Sequence, residues 1–308
     1  MATAAATRPA HVPPEHLGDF NLMDDPEMLP RPNGDPHKAI ARLLDGPPVF
    51  YSLNNTRNGE GAWFIIRAED QRRVLQDGET FSSNRNIFAS ALGEVWPVIP
   101  LELDPPEHGK WRSLLNPLLS PRRVMNLEPA VRERATELIE GIKARGNSCE
   151  IMTEFAFPFA VSIFLQFLGI PNDRLMEFVG WANDLLHSTP EARTRAARTV
   201  VDFLNDLQDQ RRAEPTDDFM SFVTQAEVDG RKLTRDEVKQ MSVLLFIGGL
   251  DTVAAALGFD FYYLARHKDD QALLRAEPER LTLAAEELLR AYPTVTPVRR
   301  ATRDVELH

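Results

Sequence analysis

Hydrophobic residues in this chain recur mostly at intervals of three and four, the spacing of amphipathic helices. Val131, Ala135, Leu138 and Ile142 line one such face, on a helix predicted to stop at Gly146. Residues 159–168 read as a buried helix closed by Gly169, Ile170 and Pro171, and amphipathic helices follow over 173–187, 190–212 and 216–227. A helix over 36–44 has Asp35 as its cap and Pro36 at its first position. Others are expected over 68–77, 106–116, 269–276 and 281–290. Strand-type runs are few. Residues 48–53 and 62–67 flank a turn-bearing loop containing Asn58-Gly59 and predict a hairpin. A short strand is expected over 148–152, and Asp304 to Leu307 read as a closing one. Residues 81–103 show little periodicity and read as a long binding loop. The fold class is therefore mainly α with a small peripheral β-sheet. Residues 1–15, rich in Ala and Pro, predict a flexible tail before a single domain over 16–308.

The longest helical stretch covers 234–267. Thr234 and Glu237 have the spacing of a capping box, and at about 1.5 Å per residue the helix extends roughly 50 Å. Its middle, Val243 to Ile247, is apolar nearly all round, as in a helix buried within a large core. That middle runs into Gly248-Gly249-Leu250-Asp251-Thr252. Singly, each residue has a structural reading: close helix approach for the glycines, a bond back to the preceding turn for Thr252, a buried arginine for Asp251. Together they favour a site. Each glycine costs about 0.5–1 kcal/mol relative to Ala in a helix, and an unpaired buried charge costs more. Space beside the glycines suits a flat or small ligand, with an acid and an alcohol beside it.

This five-residue string resembles the central-helix motif of the cytochromes P-450, the haem-thiolate monooxygenases. Glu287-Leu288-Leu289-Arg290 is similar to the family's E-x-x-R, and Asp104-Pro105-Pro106-Glu107-His108, followed by Arg112, to a third signature. The motifs stand in the family's order. The likeness is nearest to the soluble bacterial camphor-hydroxylase type. It implies a cytochrome P-450 fold, a haem b cofactor, O2, and electrons from NAD(P)H delivered by a ferredoxin and its reductase. It also implies hydroxylation of a small apolar substrate, terpenoid or aromatic. Thr252 would organise a hydrogen-bond chain to the bound oxygen, Asp251 would relay protons, and Gly248 and Gly249 would leave room. His108, Arg112 and Arg299 would hold the haem propionates. Glu287 and Arg290 would join a buried structural network. Ile87, Trp96, Leu244, Ile247 and Val295 match substrate-pocket positions. Trp96 and Ile87 replace the tyrosine and phenylalanine of the camphor-hydroxylase type, which argues against camphor itself. The bland alternatives are a solvated face for His108 and Arg112 and ordinary loop packing for Trp96.

The resemblance breaks at the iron. The family's ligand is a cysteine far beyond E-x-x-R, and the one cysteine of these 308 residues, Cys149, precedes the central helix. The metal therefore has no ligand in this chain. A truncated monooxygenase is expected; the alternatives are a haem-free small-molecule-binding or interaction protein, and an all-helical scaffold with no ligand. A net charge of −11 argues against nucleic acid. Lys110, Arg112, Arg122 and Arg123 are the expected docking face for an acidic redox partner, or plain solvated surface. A single cysteine excludes an internal disulfide and suits a reducing compartment. The N-terminus lacks the apolar core of a signal peptide, and the apolar run 155–170 is broken by Pro158 and Gln166. A cytoplasmic protein that does not enter the membrane is expected.

Overall fold

A computed structural model describes residues 7–20, 35–53, 55, 61–84, 87–90, 92–146 and 148–307. The chain divides into two compact units, Met1–Ser82 with Arg299–His308, and Ser83–Val298, although no Pro- or Gly-rich linker marks the boundary.

In the first unit Asp35 caps α1 (Pro36–Ala41), its carboxylate accepting from the backbone N–H groups of His37 and Lys38. The expected hairpin forms from β1 (Val49–Ser52) and β2 (Ala62–Ile65), antiparallel, with Phe50 opposite Phe64 and the rings stacked. Its Asn58-Gly59 turn lies outside the described residues. So do residues 1–6 of the expected tail, while Val12 of the same segment is fully buried. α2 (Ala68–Gln76) and β3 (Phe81–Ser82) follow.

The second unit is a helical stack: α3 (Ile87–Ser90), α4 (Glu107–Leu115), α5 (Pro121–Arg145), α6 (Phe157–Phe167), α7 (Leu175–His187), α8 (Pro190–Ala213) and α9 (Phe219–Gln225). A small hairpin, β4 (Glu227–Val228) and β5 (Arg231–Lys232), turns at Asp229 and Gly230, both at positive φ. Then come α10 (Arg235–Leu250), α11 (Thr252–Arg266), α12 (Lys268–Ala276) and α13 (Leu281–Ala291). β6 (Arg300–Ala301) belongs to the first unit and pairs antiparallel with β3.

Two predicted strands are absent. Residues 148–152 lead into a π-helical turn, Met152–Ala156, because the Glu150 carboxylate accepts from the N–H groups of Met152 and Thr153 and so starts a helix. The closing strand forms at Arg300–Ala301 rather than at 304–307. Pairing with β3 decides its place, and Thr302 continues the attachment through its N–H to Thr80 O. The end of α6 follows its sequence signal. Gly169, at φ +66, closes the helix with Ile170 N–H on Leu165 O and its own N–H on Gln166 O.

The core of the second unit is built by α6, α7, α8, α9 and α10. Phe246 is fully buried, and burial of such a side chain is worth roughly 1.5–3 kcal/mol. α10 and α11 together form a 32-residue apolar span, long and apolar enough to cross a membrane by length and composition. Val238, Met241, Val243, Phe246 and Leu250 of that span are buried against the neighbouring helices. α12 and α13 bury no residue, and Leu281, Leu283 and Leu289 are exposed.

Both halves of the capping box at Thr234 and Glu237 are present, and Arg231 forms two bonds with the Glu237 carboxylate, at 2.8 and 2.6 Å. The Arg231 bonds above all, together with those from Thr234, outweigh burial and lower the Glu237 pKa from 4.5 to about 2. A carboxylate held below its unfolded value stabilises the fold above that value, and the contribution disappears as pH falls through the folded one. Acid unfolding should therefore include a component between pH 4.5 and about 2. Glu237→Gln should flatten stability across that window in urea titrations at stepped pH. An unchanged pH profile in this variant would contradict the assignment.

Candidate functional site

The central helix is not continuous. It is interrupted at Asp251, whose φ of −104° and ψ of −40° depart from helical values, and restarts at Thr252. The cause is local. The Thr252 hydroxyl donates to Gly248 O at 2.7 Å, competing with the backbone for that carbonyl, and two glycines precede it. The regular bonding resumes with Ala255 N–H on Asp251 O.

The two glycines face different surroundings. A Cβ built on Gly248 would meet nothing within 4 Å, so this position opens onto free space. A Cβ on Gly249 would lie 2.3 Å from the Phe164 ring. The room expected of the pair thus falls to Gly248, and Gly249 instead lets α6 approach α10. Asp251 and Thr252 are both half-buried. On the same helix Leu244 and Ile247 are half-buried and pack against the main core.

His108 and Arg112 lie one turn apart on α4, with no hydrogen-bond or ion-pair partner for either side chain among the described residues. Arg112 is exposed and His108 half-buried. Arg299 belongs to the other unit. The Lys110 ammonium is held by Glu107 at 2.8 Å and by Asp229 at 3.0 Å, and Arg122 and Arg123 are exposed at the start of α5.

Trp96 is half-buried against the core, and its indole N–H donates to Glu94 at 2.6 Å. Val295 is 59% exposed, and the side chain of Ile87 lies outside the described residues. Glu287 and Arg290 form a two-bond pair, both at 2.7 Å, but each is exposed, not buried in a network as the resemblance implies. α13 buries no residue, and the pair lies exposed among the described residues.

The fit to a haem is therefore one-sided. Open space at Gly248, a fixed hydroxyl at Thr252 and the exposed Arg112 guanidinium on α4 suit the oxygen side and the propionates of such a ligand. Cys149, by contrast, is exposed in the segment that Glu150 commits to helix initiation. No group of three or more His, Cys, Asp or Glu residues arranged to hold a metal occurs among the described residues.

Sequence reasoning missed the Arg211–Asp218 pair, with side chains 9% and 2% exposed. It also missed Phe164 as the neighbour of Gly249 and Lys239 as the neighbour of Trp96. The last two are contacts between distant segments, for which a single sequence carries no local signal, whereas Arg211 and Asp218 lie seven positions apart across the turn from α8 to α9.

Comparison with known proteins gives a consistent picture. Residues 178–308 match the family model described as cytochrome P450. The chain is 58% identical over 299 residues to a probable cytochrome P450 127A1 of Sinorhizobium fredii, covering 97% of this chain and 72% of that protein. It is 34% identical to the nocardicin C N-oxygenase of Nocardia uniformis subsp. tsuyamanensis, over 90% of this chain and 72% of the relative. The crystal structure of cytochrome P450 CYP101C1 superposes with a TM-score of 0.82 at 34% identity, covering 98% of this chain and 74% of that one.

Proposed function

The chain belongs to the cytochrome P450 family, and we propose that it carries the oxygen-side half of a haem monooxygenase site for a small apolar compound, terpenoid or aromatic. The observation that supports this most is the free space at Gly248 next to the pinned Thr252 hydroxyl. Haem, when bound, supplies dioxygen activation at its iron. The chain's own residues then hold the ligand and manage protons. Thr252 Oγ1 spends its hydrogen on Gly248 O, which leaves its lone pairs to accept from water or from a protonated group in the space beside it. A hydroxyl does this without becoming charged. Asp251, half-buried one residue earlier, relays protons from outside toward that water. His108 and Arg112 hold the propionates, Arg being suited to carboxylates by its fork of donors. Leu244 and Ile247 supply the apolar wall that excludes bulk water.

The iron ligand is assigned to a segment outside this chain, which spans 72% of its S. fredii relative. Electrons are assigned to a ferredoxin and its NAD(P)H-dependent reductase, docking near Arg112, Arg122 and Arg123 in the cytoplasm. The test is a chimera in which the remaining C-terminal part of that relative follows His308. It should bind haem, and reduction by a ferredoxin system should consume oxygen and hydroxylate an apolar substrate. Within it, Thr252→Ala should keep oxygen consumption while product falls at least tenfold. A chimera that folds and takes no haem would overturn the reading.

A further inference from the structure

The face that α5 turns toward α6 is charged where a packed helix normally presents apolar residues. Ala130, Glu133, Arg134 and Glu137 follow at i, i+3, i+4 and i+7 and line one side of an open cleft within the second unit. Ser162 and Ile163 of α6 and the turn at 169–172 line the rest. α5 buries no residue, so this face is not closed against the core. The cleft measures about 460 Å³, within the roughly 300–1,000 Å³ of small-molecule sites.

Its central cation is held in place by the protein. Arg134 Nε donates to Ser162 Oγ at 3.1 Å, and Nη1 donates to Glu137 at 3.0 Å. Ser162 is 2% exposed and gives its own hydrogen to Phe159 O at 2.8 Å, which fixes its oxygen as the acceptor for Arg134. A guanidinium carries five N–H donors in one plane, and these bonds leave both donors of Nη2 uncommitted among the described residues. The long side chain is thus oriented before any ligand arrives, which removes part of the ordering cost of binding. Glu137 balances the Arg134 charge. Glu133 is exposed at the rim, with no hydrogen-bond or ion-pair partner among the described residues. Ile163, half-buried, and Ile170, buried, give the cleft an apolar wall.

We propose that this cleft binds a free α-amino acid with an apolar side chain. The carboxylate accepts from Arg134 Nη2, the ammonium donates to Glu133, and the side chain lies against Ile163 and Ile170. A carboxylate alone would set a second anion beside Glu133, and an amine alone would face the Arg134 cation. The zwitterion matches both charges. The cleft uses no residue assigned to haem, so this binding stands or falls separately from the haem reading.

Titration of the isotope-labelled full chain with L-norleucine tests it, read by NMR at the Arg134 Nε–H and at the backbone amides of 162–172. Saturable shifts are expected there. Hexanoate, which lacks only the ammonium, and pentylamine, which lacks only the carboxylate, should each bind severalfold more weakly. Glu133→Gln should weaken norleucine severalfold, the modest effect of an exposed pair, and should not weaken hexanoate. Arg134→Lys keeps the charge and loses the fork, and should weaken norleucine and hexanoate alike. Unchanged amide shifts in α10 show that each variant is folded. No saturable shift with norleucine would overturn the proposal. So would hexanoate binding as tightly as norleucine, or an unchanged norleucine affinity in Glu133→Gln.

Discussion

Asp218→Ala should lower the unfolding free energy by about 3–5 kcal/mol, the usual cost of removing one partner from a buried ion pair. The carboxylate is 2% exposed and accepts from Arg211 Nε, from the Thr216 hydroxyl at 2.6 Å and from Ser221 N–H at 2.7 Å as the cap of α9. Arg211 also donates to Gly169 O at 3.1 Å, so the pair ties α8 and α9 to the turn that ends α6. Without Asp218 a guanidinium that is 9% exposed keeps its charge and loses its counter-ion. Burial pushes the Asp218 pKa up, yet the bonds from Thr216, Ser221 and Arg211 together hold it below its ordinary value of 3.8. The pair's stabilisation is therefore complete above that value and lost as pH falls through the lower folded one. Urea unfolding at neutral pH should show Asp218→Asn to be milder than Asp218→Ala, since it keeps an acceptor for the cap. Replacing both partners by apolar residues should cost less than Asp218→Ala alone. If the double replacement costs the sum of the singles, the pair is not coupled as described.

The second large effect divides two adjacent glycines. Gly249→Ala should destabilise the chain by about 1–3 kcal/mol, because the new methyl overlaps the Phe164 ring, itself enclosed by Phe178 and Phe246. Gly248→Ala meets nothing within 4 Å and should stabilise the isolated chain by about 0.5–1 kcal/mol through helix propensity. The same methyl stands in the space assigned to the ligand. A variant that gains thermal stability and loses haem retention in the chimera is the expected signature of a site glycine. If Gly248→Ala leaves haem retention unchanged, Gly248 does not border the ligand.

The helices were legible wherever an apolar stripe was bounded by a cap or a glycine. Asp35, the Thr234–Glu237 box and the Gly169 closure stand where the sequence places them because each signal acts within one turn. Two strand expectations failed for complementary reasons. Residues 148–152 have strand-like composition, but the Glu150 carboxylate has nearby amides to cap. β6 is defined by its partner β3, more than two hundred positions away, which periodicity cannot register. Around Gly248 to Thr252 the motif carries no information on local detail. It did not predict the interruption at Asp251, although the Thr252 back-bond behind it was visible as an option in the sequence. Nor did it assign separate tasks to Gly248 and Gly249, since what distinguishes them is Phe164 on another helix. Trp96 matched a pocket position by register, yet Lys239 and Glu94 already occupy its face and its N–H.

The measurement that bears most directly on the account is the absorption spectrum of this 308-residue chain, supplied with haem and then reduced under carbon monoxide. With only the oxygen-side half of the proposed site in these residues, a thiolate-type Soret shift should be absent, and should appear when the C-terminal part of the relative is joined after His308. A thiolate-type band from the chain by itself would mean that Cys149 reaches the iron, and the one-sided site described here would be wrong.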